Sequence, residues 1–96
     1  MTGKQRAYLR GMCNTMSPVL WIGKEGVTDN AVKCAGEALA ARELIKCGVQ
    51  RGAPLTAREA CGAICERLGA EPVQTIGSKF SLYRPKDEEP VIVLPD

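Results

Sequence analysis

The chain has 96 residues, 45% of them apolar and 25% charged, with a formal net charge of +2. That makes one domain with one modest core, since a chain of about 100 residues buries somewhat over 60% of its unfolded surface. The balance excludes a disordered chain, and no apolar run approaches the ~20 residues of a membrane span.

Charge is unevenly spread. No acidic residue precedes Glu25, whereas Asp87, Glu88, Glu89 and Asp96 crowd the C-terminal end. Residues 1–86 hold 13 basic and 7 acidic residues, a surplus of +6. A basic body with an acidic tail fits a polyanionic partner, and it also fits a solvated surface with a solubilising tail. Residues 1–6 lead into a charged helix with no secretory apolar core behind it, so an uncleaved, cytoplasmic protein is expected.

Thr2 with Gln5 is a capping-box pattern, which opens a helix over 3–14. Tyr8, Leu9, Met12, Cys13 and Met16 share its inner face, and Arg6 and Arg10 lie one turn apart on the flank beyond Lys4. Ser17-Pro18 ends it, because the residue before proline is pushed out of helical geometry. Val19-Leu20-Trp21-Ile22 reads as a buried strand, which places Trp21 in the core. Gly23-Lys24-Glu25-Gly26 follows, and Val27-Thr28-Asp29-Asn30 starts the next helix. Two glycines three apart between a strand and a helix bring bare backbone N–H groups to a phosphate, with Lys24 as a mobile cation at the tip. The bland alternative for the same glycines is an ordinary tight turn.

The second helix runs over 28–42, capped by Thr28 or Asp29. Val32, Ala35 and Leu39 face inward, Gly36 marks a close contact, and Lys33 faces out. Residues 43–49 form the second strand, with Ile45, Cys47 and Val49 toward one face and Leu44, Lys46 and Gly48 toward the other. Gln50 to Leu55 is a loop. A second capping box, Thr56 with Glu59, opens a helix over 56–68 whose apolar side carries Ala60, Ala63, Ile64 and Leu68, and Gly69 stops it. Strands over 73–76 and 79–84 flank a Gly77-Ser78 hairpin turn, with Phe80 and Leu82 alternating against Lys79, Ser81 and Tyr83. Residues 86–89 are read as a flexible connector, and 91–94, between Pro90 and Pro95, as a short edge strand. The order αβαβαββ predicts an α/β fold with a mixed four-stranded sheet covered by helices.

Five cysteines and no histidine limit the chemistry. Cys13, Cys34, Cys47, Cys61 and Cys65 are read as reduced thiols packed as small core residues. Cys61 and Cys65, one turn apart, are the only pair with ligand-like spacing, and a zinc site would need further ligands. No Cys–His nucleophile and no carboxylate pair for acid–base work stands out, so neither catalysis, nor a metal, nor another cofactor is expected.

Taken together, Lys4-Gln5-Arg6 with Leu9-Arg10, Pro18 through Gly26, Val27-Thr28, Glu43-Leu44-Ile45-Lys46, Ile76-Gly77-Ser78-Lys79 and Leu82-Tyr83-Arg84-Pro85 resemble the CRM domain, the YhbY-like family of RNA-binding modules. The resemblance spans nearly the whole chain. It implies a fold similar to the C-terminal domain of a bacterial translation initiation factor, and a GxxG loop that contacts nucleic-acid backbone as in KH domains. It also implies a free-standing, non-catalytic monomer that binds ribosomal RNA in precursors of the large ribosomal subunit. The residues expected on RNA are Gly23, Lys24, Glu25, Gly26, Lys4, Arg6, Arg10, Lys33, Lys46, Lys79 and Arg84. Tyr83 is the better base-stacking residue, ahead of Trp21, though a structural role is expected for it first. Two features depart from the pattern: Glu25, which sits inside the loop and either pairs with Lys24 or weakens its affinity, and the high cysteine content. The competing readings are a thiol-based redox or metal-binding protein, and a module that docks on a ribosomal protein through a sheet edge.

Overall fold

The Thr2 side chain accepts the Gln5 amide, and the Gln5 side chain accepts the Thr2 amide, so the capping box forms as written and starts α1, Gly3–Cys13. In the computed structural model, which describes residues 1–87 and 89–96, the remaining elements are β1 Leu20–Ile22, α2 Asp29–Arg42, β2 Leu44–Val49, α3 Ala57–Leu68, β3 Glu71–Ile76 and β4 Lys79–Tyr83. Thr28 alone caps α2, by accepting the Ala31 amide. The Thr56–Glu59 capping box opens α3, and Gly69 closes it in the left-handed conformation. Gly77 takes φ +58 in the two-residue hairpin turn.

The four strands form a mixed sheet in the order β1-β2-β4-β3, with β1 parallel to β2 and the other pairs antiparallel. The alternation in β2 and β4 divides two cores. On one face Ile22, Ile45, Cys47, Phe80 and Leu82 meet Ala35 and Leu39 of α2 and Ala60 and Ile64 of α3. Small residues let these helices approach: a Cβ at Gly36 would stand 3.3 Å from Leu68 Cδ2. On the other face Leu9 and Cys13 of α1 cover Leu44, Tyr83 and Val73, the last thrown inward by a β-bulge between Pro72 and Gln74. Each fully buried Leu, Ile or Phe contributes roughly 1.5–3 kcal/mol.

Several expectations are corrected. Tyr8 and Met12 are exposed because α1 buries only the Leu9–Cys13 stripe. Cys34 is exposed on the outer side of α2, whereas the other four cysteines are buried. Trp21, read as core, is exposed, and Tyr83 is buried, in keeping with the structural role expected of it first and not with base stacking. The C-terminal segment forms no strand over 91–94, and its backbone is tied down rather than a free connector. Glu88, the third residue of the expected connector, lies outside the described residues.

What ties the segment down is Glu43, expected to open β2. It ends α2 instead, at φ +66, with its side chain fully buried. One carboxylate oxygen accepts the Lys86 amide, and the other accepts the amides of Val91 and Ile92, all within 2.8 Å. Ile92 and Leu94 then pack beneath α1, and Gln5 donates to the Pro95 carbonyl. Burial pushes the Glu43 carboxyl up, but the three backbone donors and the Lys86 ammonium outweigh it and hold the pKa below the usual carboxylate value. A depressed folded pKa gives stability that is complete above the unfolded value near 4.3 and is lost as pH falls through the folded value. Glu43→Ala should cost about 2–3 kcal/mol, because it strands charge-assisted backbone donors. Melting curves from pH 7 to pH 3 check the charge itself: Glu43→Gln should lose part of the acid-side fall in Tm seen in the parent.

Candidate nucleic-acid interface

Gly23-Lys24-Glu25-Gly26 is a closed β-turn, with the Gly26 amide donating to the Gly23 carbonyl at 3.0 Å. Gly26 sits at φ +74, a conformation that side chains resist. Gly23 has a different reason to be glycine: a Cβ there would lie 3.0 Å from Gln50 Oε1. The turn leans on the loop before α3, since the Gln50 amide donates to the Ile22 carbonyl and Gly26 abuts Pro54 and Leu55. Lys24 and Glu25, the two central residues, are both exposed. Among the described residues the amides of Lys24, Glu25 and Val27 make no hydrogen bond, and Glu25 makes no ion pair, with Lys24 or otherwise. Asp29 in the first turn of α2 pairs with Arg67 at 3.0 Å, which answers part of the positive end of that helix.

Because β1 runs parallel to β2, the turn stands at the end of the sheet where β2 finishes and the β3–β4 hairpin turns. At that end α1 no longer covers the sheet. Trp21, Gly48, Lys79 and Ile76 form one cross-strand row there. The next row, Lys46, Ser81 and Gln74, lies at the C-terminal end of α1. Trp21 is 46% exposed, and the Lys79 ammonium stands 5.9 Å from the centre of its ring.

The basic residues divide by position. Lys24, Lys33, Lys46 and Lys79 lie toward the turn end. Lys33 is exposed on α2, while Lys46 is half-buried and reaches the Cys13 carbonyl at 3.5 Å. Arg10 is exposed in the last turn of α1. Lys4, Arg6 and Arg84 lie at the opposite end. Arg6 donates to the Pro72 carbonyl and approaches Glu71 at 4.0 Å, and Arg84 donates to the Leu68 carbonyl at the end of α3 at 2.9 Å. Two residues at the turn end escaped sequence reasoning. Arg51 is exposed on the loop against which the turn packs. Trp21 had a signal, the strand-interior Gly48, which marks close approach by another group.

Four of the five thiols, all but the exposed Cys34, belong to the core. Burial raises Cys13, and burial with the neighbouring Cys61 pushes Cys47 up to about 12. Cys61 and Cys65 lie 3.9 Å apart, sulfur to sulfur; the bond between them lowers Cys61 and, together with burial, raises Cys65. Among the described residues no cluster of three Cys, Asp or Glu forms a metal site.

Comparison with known proteins gives the chain its family. The chain is 38% identical over 95 residues to the Bacillus subtilis (strain 168) protein named "Probable RNA-binding protein YqeI", across 99% of both chains. It is 34% identical over 88 residues to an RNA-binding protein of Haemophilus influenzae, across 92% of this chain and 89% of that one. A Staphylococcus aureus protein solved in solution, and proposed to bind RNA, superposes with a TM-score of 0.83 at 37% identity over 99% of each chain. The model of the CRS1/YhbY (CRM) domain matches residues 1–84, and the chain belongs to that family.

Proposed function

We propose that this protein binds RNA without catalysing a reaction, and that its target is ribosomal RNA in precursors of the large subunit, met in the cytoplasm by a monomer. The observation that carries this reading is the exposed Gly23–Gly26 turn, with Lys24 at its tip and unpaired backbone amides beside the N-terminus of α2. Backbone N–H groups and a lysine there donate to phosphate oxygens, which positions a strand without reading its sequence. Lys79 adds a cation at the same end on the α1 side of the sheet, and Lys33 one on the α2 side. Glu25 repels phosphate and tempers the affinity. The relatives' RNA-binding names and the family membership support RNA as the partner.

Filter binding with ribosomal RNA at increasing salt tests the reading, because affinity carried by phosphate contacts falls steeply as salt rises. Lys24→Glu should weaken binding roughly tenfold and flatten the salt dependence, whereas Glu25→Lys should tighten it and steepen that dependence. Unchanged affinity in Lys24→Glu would mean that the turn is not the contact. Arg84→Ala serves as the contrast: it should lower stability by about 1 kcal/mol through the lost carbonyl bond while the folded protein keeps its RNA affinity. Sedimentation with immature large particles would support the assembly role, and absence from every RNA-containing fraction would refute it.

Gly26→Ala and Gly23→Ala separate the two glycines. Forcing a side chain into positive φ should cost Gly26→Ala about 1–2 kcal/mol. Gly23→Ala needs only a shift of the Gln50 side chain and should unfold at nearly the parent temperature. Equal losses of thermal stability in both variants would show that φ at position 26 is not the constraint.

A further inference from the structure

We propose that the uncovered end of the sheet is a stacking platform for an unpaired RNA base, with the Trp21 ring as its floor. This rests on the RNA-binding reading and narrows it to single-stranded segments, loops or bulges. Trp21 projects from β1 to the face that α1 covers, but beyond the end of α1. A Cβ built at Gly48 would fall 2.4, 2.6 and 2.9 Å from Cζ3, Cε3 and Cη2 of the indole. Three consecutive ring atoms therefore rest on bare backbone, and any side chain at 48 would displace the ring. The indole is thus supported from beneath by the sheet and is still 46% exposed. An aromatic held this way loses little conformational freedom when a second ring settles on it.

Three further observations favour a nucleotide over a protein side chain. The rows around the indole carry Lys79 and Lys46 with Ser81, Gln74 and Ile76, and no carboxylate. The Lys79 ammonium lies over the ring, 5.9 Å from its centre, and a base that settles on the indole displaces this mobile cation toward its own phosphate. Trp21 also lines the same hollow, of about 380 Å³, as Gly23, Lys24, Glu25 and Gly26. A strand with a phosphate on the turn therefore has an adjoining base within reach of the indole. A duplex does not, because its bases are stacked and paired.

Trp21 is the only tryptophan, so its fluorescence reports on this position alone. The probes are a single-stranded oligoadenylate and an RNA duplex of equal length, each followed by Trp emission and by anisotropy of a labelled strand. Saturating single strand should quench the emission strongly, and the duplex should do so weakly or not at all. Trp21→Ala should weaken single-strand binding at least fivefold, the lower end of a stacking contribution of ~1–3 kcal/mol per base, with an unchanged salt slope. Trp21→Phe should restore most of the loss. Gly48→Ala, checked for folding by circular dichroism, should weaken binding with the tryptophan still present. Saturable, salt-dependent anisotropy without quenching, or with full affinity in Trp21→Ala, would overturn the platform and leave the RNA reading intact. No salt-dependent binding of any RNA would overturn both. Full RNA affinity in Trp21→Ala with loss of binding to a purified ribosomal protein would assign the surface to protein docking instead.

Discussion

One helix covers only part of one face of a four-stranded sheet, and the rest of the molecule follows from that shortfall. α1 has 11 residues, about 16 Å of helix, and buries two of them, Leu9 and Cys13. Those two reach Leu44, Tyr83 and Val73, which stand at the end where β2 begins. Nothing apolar on α1 reaches the other end, where β2 finishes. The opposite face has no such gap, because α2 and α3 together span it and close over Ile22, Cys47 and Phe80. The sheet is therefore sealed on one side and half-open on the other. The parallel pairing of β1 with β2 puts the Gly23–Gly26 turn at the open end.

The position of α1 is in turn fixed by a buried charge. Glu43 lies between α2 and β2 and gathers the amides of Lys86, Val91 and Ile92 onto its carboxylate. That brings Ile92 and Leu94 under α1 and Pro95 within reach of Gln5. The C-terminal segment acts as a strap that thickens the small core at the covered end. Removing a carboxylate from water costs free energy unless its lone pairs are met; three amides meet them here, and the result is an anchor. The helical run of α2 breaks at this residue, whose positive φ redirects the chain into β2. A single residue thus ends a helix, starts a strand and holds the C-terminal segment at Lys86, Val91 and Ile92.

What could be read from the chain was what is local. Capping boxes, a glycine helix stop and a two-residue hairpin depend on residues within a few positions of each other, and all formed where their sequence placed them. The αβαβαββ order carried the sheet type for the same reason. Trp21 was misplaced because alternation tells which residues share a face, not which parts of that face another element covers. Glu43 was misplaced because a charged residue before an apolar run resembles the start of a strand, and its partners lie more than 40 positions away. That some basic residues have partners inside the protein was hidden for a related reason. Arg6, Arg84 and Lys46 reach backbone carbonyls, and a carbonyl left free by a bulge or a helix end has no signature in sequence.

The same placement bears on the proposed contact. Leave aside the cations that reach carbonyls and those at the far end, and the turn end keeps Lys24, Lys33, Lys79 and Arg51, with Arg10 at the C-terminal end of α1 and Glu25 in opposition. Phosphate contacts of that number give a modest affinity that salt erodes, and no preference among RNAs. A supported indole adds what lysines lack: attraction to a base that salt barely screens and that a paired strand does not present. Under the proposed reading the two parts answer different questions, the turn locating a backbone and the ring testing whether its bases are free. Their separation by one residue, Ile22 anchored in the main core between Trp21 and Gly23, sets the distance between a phosphate and its neighbouring base and keeps both parts in register. Such a device suits an RNA that is still folding, in which the same segment is unpaired early and paired later.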